Sequence, residues 1–138
     1  MHPASPGSRA GAWMVAAALA ACGTDETPLA VTTPDGADAR VAVSGVAAGL
    51  RLTNTGTSAL AYLVFERNFA ALALFAPCTD PGPSCVRLAP GQTVTVPFRE
   101  IGGYTSAARE VIVYTWHVLP APGGGYRAAD FSSVVVRL

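Results

Sequence analysis

The sequence predicts an all-β domain over residues 40–138, an antiparallel β-sandwich of seven or eight short strands. Three observations lead there. Apolar and polar side chains alternate at period two in one stretch after another, which puts the apolar set on one face of a strand. Clusters of Gly, Pro, Asn and Asp punctuate these stretches at intervals of about 8–12 residues. No segment in this range reads more strongly as a helix than as a strand.

Val41 and Val43 alternate with Ala42 and Ser44, and Leu50 and Leu52 alternate with Arg51 and Thr53. Asn54-Thr55-Gly56-Thr57 then makes a turn, because Asn and Gly tolerate the backbone angles a reversal needs. Leu60 to Phe65 is nearly all apolar, as expected of a strand covered on both faces or paired centrally. Phe69 to Phe75 has Ala and Leu that would suit a helix, but its short length between turn signals favours a strand. Ala89-Pro90-Gly91-Gln92 turns the chain into Thr93–Phe98, with Val94, Val96 and Phe98 on one face. Glu110 to Leu119 is the strongest strand, dense in β-branched and aromatic residues. Gly123-Gly124-Gly125 permits a reversal, and Ser133–Leu138 closes the domain with Val134, Val136 and Leu138 facing in. A sandwich buries such one-sided strands within about 100 residues.

The start of the chain has a different character. Arg9 is followed by a run of small and apolar residues from Ala10 to Ala21, the charge-then-hydrophobe pattern of a secretory signal. The run is shorter than the roughly 20 residues needed to span a bilayer. It ends in Leu19-Ala20-Ala21-Cys22, which resembles the lipobox of bacterial lipoproteins at every position of that motif. The resemblance implies that residues 1–21 are removed and that Cys22 becomes a lipid-bearing N-terminus. It further implies a membrane as partner, reached through palmitate-type chains on Cys22, with more than one chain needed for a stable anchor. Gly23, where enteric bacteria use Asp to retain lipoproteins in the inner membrane, implies the outer membrane in a Gram-negative cell. Residues 22–39 are polar and broken by Pro28 and Pro34, and read as a flexible tether.

With 51% hydrophobic and 13% charged residues among 138, the chain can bury one core and is not expected to be disordered. All nine basic residues are Arg, and formal net charge is zero. The arginines lie singly along the chain rather than in a cluster, so no nucleic-acid partner is expected. The 40–138 region resembles the Ig-like modules of bacterial lipoproteins, through Leu50-Arg51-Leu52-Thr53-Asn54, the Leu88-Ala89-Pro90-Gly91 turn and the paired final strands. It resembles more weakly, through the same two turns, the small β-sandwich proteinase inhibitors of bacteria.

Few residues offer chemistry. Cys78 and Cys85 flank Pro81-Gly82-Pro83, and in an exported chain such a pair predicts a disulfide. Redox pairs usually sit closer together at a helix start, and a zinc site needs four ligands, of which only His117 could join these two. His117 is the sole histidine once His2 is removed, and it lies mid-strand, where catalytic groups are uncommon. Glu66, Glu100 and Glu110 each adjoin an Arg (Arg67, Arg99 and Arg109); on strands such neighbours face opposite sides, so these read as solvated charges. Tyr62, Tyr114 and Trp116 form a candidate binding patch if their faces point outward, and core if inward; core is the commoner outcome. No catalytic set, metal site or cofactor is expected.

The sequence thus leads to a non-enzymatic binding or structural module, exported and lipid-anchored to the cell envelope, with an envelope protein as candidate partner. Two alternatives stand beside it. One is an inhibitor or accessory subunit of an extracytoplasmic enzyme. The other is a small metal-carrier or redox protein using Cys78, Cys85 and His117.

Overall fold

A computed structural model describes residues 31–32 and 40–138. The expected signal at 1–21, Cys22 and most of the 22–39 segment lie outside these. Among the described residues, eight strands form two antiparallel sheets: β1 (Val31–Thr32), β2 (Val41–Val46), β3 (Gly49–Asn54), β4 (Leu60–Glu66), β5 (Arg87–Leu88), β6 (Thr93–Pro97), β7 (Glu110–Pro120) and β8 (Tyr126–Arg137). The larger sheet has the order β1-β8-β7-β4-β5, and the smaller has the order β2-β3-β6. The fold is the all-β sandwich that the alternation predicts.

The interior follows from that alternation. Val41, Val43, Leu50, Leu52 and Val96 from the small sheet meet Val64, Leu88, Val111, Val113, Val134 and Val136 from the large one. These side chains are buried, and each fully buried aliphatic contributes about 1.5–3 kcal/mol by leaving water. Gly49 lies opposite Pro97, and a methyl group there would run into the backbone of Val96 and Pro97. The close approach of β3 and β6 therefore requires glycine.

Asn54 closes this interior at one end. It is buried, yet its amide donates to the carbonyls of Ser58 at 2.8 Å and Leu88 at 3.0 Å. Its side-chain oxygen accepts from the Gly56 N–H at 2.9 Å, and its backbone bonds to Gln92 and Gly91. One polar side chain thus ties the 55–58 turn to both sheets without leaving a donor unmet.

Four expectations are corrected. Phe69–Phe75 is not a strand: the helix α1 covers Arg67–Leu72, and an extended segment follows it. The Glu66 carboxylate accepts the Phe69 N–H at 2.8 Å and starts the helix, a cap that Glu seldom supplies. Phe98 leaves β6 for a 3-10 turn at Phe98–Glu100 and stacks on Tyr104 at 4.6 Å. Strand β8 begins at Tyr126, well before Ser133. Leu138 is exposed, because it lies past the end of β8, held by its N–H to the Arg109 carbonyl.

Candidate functional site

The outer face of the large sheet carries a second hydrophobic layer. On β4 and β7, residues alternate between the two faces, so Tyr62 packs on the sandwich interior while Leu63, Tyr114 and Trp116 face outward. The three aromatics proposed as a patch are therefore divided between faces. Trp116 is 1% exposed, so it is core, but the core of the outer layer and not of the sandwich.

What covers it is the segment from α1 to Cys85. Phe69 and Phe75 reach Phe65 with ring centroids 5.9 and 5.2 Å apart, and Phe75 meets Tyr114 at 4.9 Å. Further on, the Trp116 indole N–H donates to the Cys78 carbonyl at 2.9 Å. Cys78 and Cys85 are joined by the predicted disulfide, with Cα atoms 5.5 Å apart, inside the usual range for such bridges. Within the loop the Asp80 side chain accepts from the Gly82 N–H, and Arg87 donates to the Pro81 carbonyl. The flap is thus pinned at its first turn, its middle and its end.

A bulge completes this layer. Thr115 pairs with Ser132 and His117 with Ala129, so Asp130 and Phe131 together oppose Trp116. Asp130 takes φ of 54°, a left-handed conformation that Asp tolerates better than most residues. The extra residue brings Phe131 over Trp116 with centroids 6.0 Å apart.

The bulge also positions His117. Its Nδ1 lies 3.2 Å from Asp130 Oδ2 and 3.1 Å from Arg40 Nη1. That nitrogen accepts from Arg40 when bare and donates to Asp130 when it bears a proton. Arg40, Gly56, Thr57, Ser58, Leu60 and His117 line a cleft of about 170 Å³. Its guanidinium, imidazole and hydroxyls suit a small polar or anionic group. Of the three residues of the metal-carrier or redox alternative, Cys78 and Cys85 bond each other within the flap, and His117 stands apart from them beside Arg40 and Asp130. Among the described residues no group of three His, Cys, Asp or Glu is placed to hold a metal ion.

The carboxylates find partners that adjacency on strands does not reveal. Glu110 bonds Arg67 and Arg137, not Arg109. The hydrogen bond from Arg67, aided by its charge and by Arg137, holds the Glu110 carboxyl below its ordinary range. Arg99 and Glu100 do pair, at 3.8 Å, because they lie in a 3-10 turn and not on a strand. Tyr62 is shifted upward, first by burial and then by the charge of Glu100.

Among the described residues no helix is long and apolar enough to cross a membrane. No family model matches the chain, and no curated protein or solved structure matches it significantly.

Proposed function

We propose that the chain is an exported bacterial lipoprotein, anchored through lipid on Cys22, whose Ig-like sandwich serves the cell envelope as a non-enzymatic binding or structural module. Residues 1–21 act as its signal and 22–39 as the link to the domain. The observation that carries this reading is the Cys78–Cys85 bridge, since such bonds persist where thiols are oxidised, outside the cytoplasm. The lipobox at Leu19–Cys22 supports it from the sequence side. In a Gram-negative cell the outer membrane is the destination, and the binding partner is an envelope component, not a nucleic acid.

Metabolic labelling tests the reading. The native chain should take up labelled palmitate and sediment with membranes. The Cys22→Ala variant should take up none and keep its signal. A Cys22→Ala variant that still labels, or a native chain that never does, would overturn the lipoprotein assignment.

A further inference from the structure

The flap that covers the outer layer carries two leucines that cover nothing. Leu72 ends α1 and Leu74 follows two residues later; they are 87% and 105% exposed. No residue of α1 is buried, and the stretch from Phe69 to Pro77 contains no charge. The leucines are nevertheless held in place, because Phe69 before them and Phe75 after them both pack on Phe65. A methyl group on Gly103 would run into the Phe69 ring, so that the 102–103 loop braces the same base. Single exposed leucines are ordinary on protein surfaces, but two neighbours projecting from a braced, uncharged tip mark a contact surface.

The sheet register indicates what that surface meets. Val31 pairs with Val136, Val136 with Val111, and Val111 with Glu66, so these four residues form one row across four strands. At roughly 4.8 Å per strand step, the chain joins the sheet at Val31 only about 14 Å from the residue that caps α1. Strand β1 runs antiparallel to β8, so Val31, its first residue, lies at the end of the sandwich where β4 finishes and α1 starts. Cys22 is nine positions before Val31, a distance of at most about 30 Å when fully extended. At this sheet end Glu110 is bonded to Arg67 and Arg137, and with Arg109 and Glu66 beside them the local charge carries no net negative sign that would oppose anionic headgroups.

Resting on the lipoprotein reading, we infer that Leu72 and Leu74 insert into the surface of the membrane that holds Cys22, at the boundary between headgroups and acyl chains. The tip gives the domain a second, weaker membrane contact beside the lipid anchor. It holds the sandwich flap-down, leaving the small sheet facing away from the bilayer.

The test uses the lipidated, full mature chain in vesicles of phosphatidylethanolamine and phosphatidylglycerol. Leu74→Trp places an indole at the tip, and Ala42→Trp places one on the exposed face of β2 as control; the parent protein gives the Trp116 background. On lipids brominated near the start of the acyl chain, Leu74→Trp emission should shift to the blue and lose roughly half its intensity, with no change for Ala42→Trp. Leu74→Trp emission that stays unshifted and unquenched, while the protein still floats with the vesicles, would overturn the tip contact and leave the anchor standing. A chain that carries no acyl group and does not float would overturn both. A dimer of the unlipidated Cys22→Ser chain that Leu72→Asp with Leu74→Asp dissolves would overturn it too, by assigning the tip to a second copy.

Discussion

Two hydrophobic layers flank the large sheet, and they are built by different means. Between the sheets, nearly every buried residue is a Val or Leu on a strand, placed there by period-two alternation. On the outer face, Ala61 and Trp116 are buried together with Cys85 of a covering segment that is mostly not strand, fixed by aromatic contacts, one indole hydrogen bond and one disulfide. The first layer needs only the pattern of the strands. The second needs a particular loop to fold back, and so depends on a few specific residues. The stability of the flap should accordingly be separable from that of the sandwich.

Replacing Trp116 tests the difference most severely. Trp116→Ala removes the centre of the outer layer and leaves the Cys78 carbonyl without its donor, so denaturant unfolding should show a loss of about 4 kcal/mol. Amide exchange should quicken most in residues 67–85, and far less in β2 and β3. Equal acceleration in both sheets would show that the layers open together.

Asn54→Ala is the matching change for the sandwich. It strands the Ser58 and Leu88 carbonyls and the Gly56 N–H, at a cost of about 3 kcal/mol in the same measurement. Here exchange should rise in β3, β5 and the 55–58 turn, with the flap unaffected until global unfolding.

Cys78→Ser with Cys85→Ser comes next. The bridge closes a short loop between residues seven positions apart, which limits the loss to about 2.5 kcal/mol by loop-closure entropy. Trp116 fluorescence should report loosening of the flap before the sandwich unfolds.

Glu110→Gln should have the smallest effect. Because the Arg67 hydrogen bond lowers the folded-state pKa of Glu110, its contribution is present above the ordinary carboxylate range and disappears as pH falls through the lowered value. The substitution should therefore lower stability slightly near neutrality, change little in acid below the lowered value, and so flatten the acid limb of the stability curve.

The same division explains what the sequence revealed. The strands of the sandwich were legible at Val41–Ser44, Leu50–Thr53 and Glu110–Leu119, because local alternation is decided by burial on one side. The unbroken apolar run of Leu60–Phe65 read as a strand covered on both faces or paired centrally, and β4 lies between β7 and β5 with side chains in both layers. The disulfide followed from the spacing of Cys78 and Cys85 across Pro81-Gly82-Pro83 in a chain expected to be exported. Helix α1 was not legible, because its cap is a Glu, its apolar residues lack a buried face, and its packing partners Phe65 and Gly103 stand on other elements. Nor was the bulge: nothing local in Ala129-Asp130-Phe131 announces a left-handed Asp, so the pairing of His117 with Asp130 and Arg40 emerged only from the fold. For Tyr62 and Trp116, each strand's own alternation was readable, but which face lay beneath the flap was not.

Whether this sandwich is held on a membrane through Cys22 is decided by the intact mass of the protein purified from cell membranes. The polypeptide should start at Cys22, carry diacylglycerol and acyl mass on that residue, and lack two hydrogens for the Cys78–Cys85 bridge. A chain that keeps Met1, or one with Cys22 present and unmodified, would contradict it.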